Sequence, residues 1–98
     1  MIRTFADSGT EDVFNGKNSA AARRACPRSL WNVVYRKLDS LDSATEVNDL
    51  RIPPGNRLEA LRGDRSGQHS IRINDQYRIS FTWTNAGSED VEIVDYHK

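Results

Sequence analysis

The sequence predicts an α+β fold in which helices pack on one face of a small, mainly antiparallel β-sheet. Between Leu30 and Leu41 apolar residues recur at helical spacing, whereas from Ile71 to Trp83 they alternate with polar ones. Between the two regimes stands Pro53-Pro54-Gly55, a stretch that stops a helix and turns the chain. At 98 residues the chain is expected to form one domain spanning 1–98.

Met1 to Phe5 reads as a short strand. Ser8 followed by Glu11 has the form of a capping box, opening a short helix that carries Val13 and Phe14 and stops at Asn15-Gly16. The stretch from Lys17 to Arg28, KNSAAARRACPR, has helix-forming alanines but no large apolar stripe. It is expected to lack a docking face and to be mobile over 17–28. Ser29 then caps a clearer helix, whose core stripe is Leu30, Val33, Val34, Leu38 and Leu41. Trp31 and Tyr35 lie on a neighbouring face, extending the core or covering a partner. Ser43-Ala44-Thr45-Glu46 is a second capping-box pattern before the prolines.

After Gly55 the pattern is that of strands. Asn56 to Leu61 reads as a short one, and Gly63 and Gly67 bracket a turn. Ile71 and Ile73 alternate with Ser70, Arg72 and Asn74; Tyr77, Ile79, Phe81 and Trp83 alternate with Arg78, Ser80 and Thr82. Both apolar sets share a face only if odd residues pair with odd, which a connection such as Asn74-Asp75-Gln76 allows. That register sets Arg72 directly opposite Arg78, where like charges repel. Residues 91–96 form the last strand, so helices cover the apolar face and an arginine-bearing face is left open.

Fourteen basic and fourteen acidic residues cancel, which argues against a general nucleic-acid coat. The charges are nonetheless segregated. Residues 51–78 hold six arginines against three acids, while 39–49 and 89–95 hold four acids each and no base. The single cysteine, Cys26, suits a reducing cytoplasm, and no stretch approaches a membrane span. No phosphate-binding glycine loop and no zinc spacing occurs, so neither cofactor nor metal is expected.

The planar guanidinium matches phosphate oxygens and keeps its charge, so Arg62, Arg65, Arg72 and Arg78 on one face make a phosphodiester clamp, or else pair with acids such as Asp64 and Asp75. His69 is a further phosphate contact or a half-buried strand histidine. Asp95-Tyr96-His97 closes the chain but for one residue. Beside an arginine face it offers what RNA scission requires: a group to take the 2′-hydroxyl proton and one to protonate the 5′-leaving oxygen.

In the MIRTF start, the run RKLDSLDSATEVNDLRIPPGNRLEALRGDRSGQHSIRINDQYRISFTW and the terminal VEIVDYH, the chain resembles plasmid-maintenance toxins of the RelE/ParE superfamily, in their HigB-like branch. The resemblance covers nearly the whole chain and is loose only over 17–29. It implies two helices on a small antiparallel sheet and a ribosome-dependent endonuclease that cuts translated mRNA in the decoding site. It also implies a helix-turn-helix antitoxin encoded alongside, with operator DNA met only through the complex of the two. By motif, Asp95, Tyr96 and His97 match the family's catalytic tail, Arg78 its strand arginine and Arg62 a basic active-site position. Where some members carry a catalytic histidine this sequence has Glu59, a carboxylate base or a surface acid. The rival readings are a poison of DNA gyrase on the same fold and a non-enzymatic module that docks an antitoxin and tunes its repression.

Overall fold

A computed structural model describes residues 1–96. Three helices, α1 (Ser8–Phe14), α2 (Ala20–Ala25) and α3 (Trp31–Ser43), precede four strands: β1 (Glu59–Ala60), β2 (Gln68–Arg72), β3 (Tyr77–Thr84) and β4 (Gly87–Asp95). The strands form one antiparallel sheet in the order β1-β2-β3-β4. The expected fold class is observed.

The odd-with-odd register is observed too. Ile71 faces Ile79 and Arg72 faces Arg78. Asn74 builds the turn between them: its Oδ1 accepts from the backbone N–H groups of Gln76 at 2.9 Å and Tyr77 at 2.7 Å. On the apolar face Ile71, Ile79, Phe81 and Val91 are fully buried against Val34, Leu38 and Leu41 of α3. Each such side chain is worth roughly 1.5–3 kcal/mol in water exclusion.

α1 docks on the same face through Val13 and through Thr10, whose Oγ1 accepts from the Ile93 N–H of β4 at 3.0 Å. Phe5, Phe14 and Tyr35 form a row of rings with centroids 5.8 and 6.0 Å apart. The expected first strand is an extended segment lying parallel to β4, bridged at Ile2–Ser88 and Phe5–Val91. A register shift in the β3–β4 pairing, with Asp90 at φ 52°, accompanies it; the Asp90 N–H donates to Thr4 Oγ1 at 2.8 Å.

Several local expectations are corrected. The cap of α1 is Asp7, which accepts from Thr10 N–H at 2.7 Å, and not Ser8. α3 begins at Trp31 behind a 3₁₀ turn of Arg28–Leu30, so Ser29 is no N-cap. Before the 3₁₀ helix Val47–Arg51 the capping box is formed by Glu46 and Asp49, the Asp49 carboxylate accepting from the N–H groups of Thr45 and Glu46 at 2.9 and 3.2 Å, in place of the Ser43–Glu46 box. Of the strand expected over Asn56–Leu61 only Glu59–Ala60 is formed, because Pro54–Asn56 winds into a 3₁₀ turn and Arg57 is left-handed at φ 47°.

The stretch 17–28 does have a face to bury. Ser19 caps α2 by accepting from Ala22 N–H at 3.0 Å, and Ala22 and Cys26 are 0% and 1% exposed. The contact works by closeness of backbones: a Cβ on Gly9 of α1 would stand 2.5 Å from the Ala21 carbonyl oxygen of α2.

Candidate functional site

The uncovered face of the sheet carries a cavity of 870 Å³. Its floor is the set of strand residues that alternate away from the helices, Ser70, Arg78, Ser80 and Val94; one wall is Glu59 to Arg62 with Asp64 and Arg65, and Tyr96 closes the other side. Three of these residues are arginines, Arg62, Arg65 and Arg78, against two acids, Glu59 and Asp64. The left-handed glycines at 63 and 67, with φ of 66° and 95°, fold the connection back on itself as a 3₁₀ turn. That turn places Arg62 and Arg65 above the strands.

The arginines differ in what holds them. Arg78 is fixed without an acid: its Nη1 donates to the carbonyl oxygens of Asn74 at 2.5 Å and Tyr77 at 3.3 Å, and its guanidinium carbon lies 4.8 Å from the Tyr96 ring centre. The turn residue that sets the hairpin register thus also sets the guanidinium. Among the described residues no carboxylate ion-pairs with Arg78. Nη1 meets both carbonyls, and the N–H groups on Nη2 and Nε have no hydrogen-bond partner among the described residues.

Arg65 instead spans the sheet, donating to Gln68 Oε1 and Ser80 Oγ at 3.1 Å each and to Glu92 Oε1 at 3.4 Å. Arg72 pairs with Asp75 at the hairpin tip. Arg72, then the charges of Arg57 and Arg78, hold the Asp75 carboxyl below its ordinary range.

The structure therefore brings Glu59, Arg62, Arg65, Arg78 and Tyr96 together and leaves other expected residues outside the cavity. Arg72 is outside the lining, satisfied by Asp75. His69 alternates onto the core-facing side, stacked on Phe81 with centroids 6.1 Å apart, and its Nδ1 is buried with no hydrogen-bond partner among the described residues. Its placement there is corrected by strand parity: Ser70 and Arg72 face the cavity side, so His69 cannot. Asp95 likewise turns away, opposite Tyr77, where its Oδ2 accepts from Gln76 Nε2 at 3.3 Å. His97 lies outside the described residues. Val94 and Glu92 escaped the sequence reading, and Asp64 was expected only as an ion-pair partner of the arginines. For Glu92 the signal was available, since pairing β4 with β3 sets it beside Ser80.

Among the described residues no group of His, Cys, Asp and Glu could hold a metal ion, and no helix is long and apolar enough to cross a membrane. What the cavity offers is guanidinium donors, a phenol and two carboxylates.

A family profile described as RelE-like toxin of type II toxin-antitoxin system HigB matches residues 3–97. The chain is 52% identical over 85 residues to Toxin HigB-1 of Vibrio cholerae, covering 87% of this chain and 86% of the relative. It is 30% identical over 98 residues to Endoribonuclease HigB of Proteus vulgaris, covering 99% of this chain and all of that one. Among solved structures, a chain of the YoeB-YefM complex from Staphylococcus aureus aligns over 100% of this chain and 97% of its own length, with a TM-score of 0.62 and 20% identity, a likeness of fold. A profile matched almost from end to end, and a relative identical at half of the 85 aligned residues, settle the kinship: the chain belongs to the HigB-like family of RelE-like toxins of type II toxin–antitoxin systems.

Proposed function

We propose that this toxin is a ribosome-dependent endoribonuclease that cuts translated mRNA in the cytoplasm and is held by a helix-turn-helix antitoxin. The observation that carries the reading is Arg78, a guanidinium fixed by two backbone carbonyls and an aromatic ring, unpaired with any described acid, on the floor of an open cavity. The endoribonuclease named among the relatives, matched along its full length, supports it.

In RNA scission the 2′-oxygen attacks the adjacent phosphorus, its proton leaves to a base, and the P–O5′ bond breaks as the 5′-oxygen is protonated. Arg78 stabilises the charge that accumulates on the phosphorane oxygens, and its fixed position means little reorganisation accompanies that step. Arg62, exposed at the cavity wall, holds the flanking phosphate. Tyr96 and His97 carry the proton transfers, with Glu59 on the facing wall as the carboxylate that can take the 2′-hydroxyl proton. Asp95 acts from the other side of the strand as a positioning group for the tail.

Sequencing RNA 5′ ends after brief induction tests the reading. New ends confined to translated frames are expected. Broken DNA with intact messages would identify a gyrase poison, and neither lesion would leave a non-enzymatic antitoxin-binding module.

A further inference from the structure

A second cleft, of 260 Å³, lies between α3 and the Pro54–Asn56 turn. Its lining is Val33, Arg36, Lys37, Ser40, Pro53 and Asn56, which gives two cations, two neutral polar side chains and no carboxylate. Lys37 is held in place there. Asn56 is 1% exposed, and its Nδ2 donates to the carbonyl oxygens of Leu50 at 3.1 Å and Ile52 at 3.4 Å. That fixes the amide with Oδ1 toward Lys37, whose Nζ donates to it at 2.5 Å. Two ammonium hydrogens are left over for a ligand.

The cleft and the 870 Å³ cavity are linked by charge. Arg72 stands opposite Arg78 in the hairpin and acts electrostatically on Lys37. Burial first, then that Arg72 charge, push the Lys37 ammonium below its usual lysine range, so an anion bound here relieves repulsion as well as gaining hydrogen bonds. β1 pairs with β2 only at His69 and Ser70, so the Arg72 end of β2 has no strand beside it on that edge. The one acid on Arg72 among the described residues, Asp75, has a fully exposed side chain and swings aside at small cost.

We infer that the α3 cleft is a second phosphate site, taking a flanking phosphodiester of the same RNA strand whose scissile bond lies in the cavity, with Arg72 as the bridge between them. The inference rests on the reading of the cavity as an RNA site. It adds a length requirement: the strand must extend beyond the cleaved bond to reach Arg36 and Lys37.

The test is binding of fluorescent, 2′-O-methylated RNA, a trinucleotide and a dodecanucleotide, measured by anisotropy across a salt series. The wild type is expected to bind the longer RNA more tightly. Lys37→Met, which keeps the apolar stem, and Arg36→Gln, which leaves the Asn56 contact alone, should each lose roughly tenfold on the dodecanucleotide, the scale of one hydrogen bond to a charged group. Their salt slope should be shallower by about 0.7, one single-strand phosphate contact. Neither should lose affinity for the trinucleotide. Equal losses on both lengths, no loss on either, or no length preference in the wild type would overturn the inference. A loss confined to ribosomes, with free RNA unaffected, would assign the cleft to ribosomal RNA and overturn it too. Wild-type protein that binds by length yet cuts no message on ribosomes would refute the nuclease reading and leave the cleft standing.

Discussion

Arg72 and Arg78 face each other across the hairpin, yet they sit in different circumstances. Arg72 takes Asp75 as its partner, whereas Arg78 donates to two backbone carbonyls and lies against the Tyr96 ring. Neither arrangement contributes much to the fold: exposed ion pairs are worth about 0–1 kcal/mol, and removing either arginine also removes the repulsion between the two. Arg72→Ala and Arg78→Ala are therefore expected to leave the melting temperature nearly unchanged or to raise it. Thermal denaturation monitored by circular dichroism checks this, and a large loss at both positions would show that the arginines serve the fold. The facing pair was legible in the sequence because strand parity leaves one register that buries both apolar sets. The carbonyl anchors of Arg78 were not, since they depend on how Asn74 closes the turn.

The elements divide by how large their buried side chains are. The hairpin and α3 could be read because leucine, isoleucine and phenylalanine mark the core face at a clear period. α2 could not, because its docking uses alanine and a cysteine. Small residues leave no apolar stripe, and their contact is a close approach of backbones, with Gly9 fitting under Ala21. Gly9→Ala should therefore destabilise the protein by roughly 1–3 kcal/mol despite the higher helix propensity of alanine, as measured by urea unfolding. A gain in stability would mean that α2 moves away without cost.

Cys26 reports on the same joint. Burial pushes its thiol up to about 11 from an ordinary 9.0, outweighing the opposing hydrogen bond with Trp31. The folded state then holds this proton more tightly than the unfolded state. The resulting contribution to stability is fully present below pH 9.0 and is lost as pH rises toward about 11. Tyr77, raised by burial and by the Asp95 and Cys26 charges, acts with the same sign. Unfolding midpoints measured between pH 8 and 11 should fall on the alkaline side, and Cys26→Ala should flatten part of that fall. Native Cys26 should also react with thiol reagents only as fast as the protein opens.

At the scale of the whole molecule the sheet separates two tasks. Its apolar face is covered by helices, and its polar face holds the cavity, so the groups assigned to chemistry carry little of the core. The polar face was expected to bind phosphate; on it the structure brings Arg62, Arg65 and Arg78 together and turns His69 and Asp95 away. Parity alone would have removed His69 and Asp95, whereas the Arg65 span to Glu92 depends on two turns meeting across three strands. The separation means that variants of the cavity should keep their fold and their grip on the antitoxin while losing cleavage. The most direct measurement is the cleavage rate of a reporter mRNA on translating ribosomes by Arg78→Ala, Tyr96→Phe and His97→Ala, with antitoxin pull-down on the same preparations. Loss of roughly a hundredfold or more in rate for each, with antitoxin binding retained, is the predicted result. Full cleavage by the three variants would contradict the assignment of this cavity as the nuclease site.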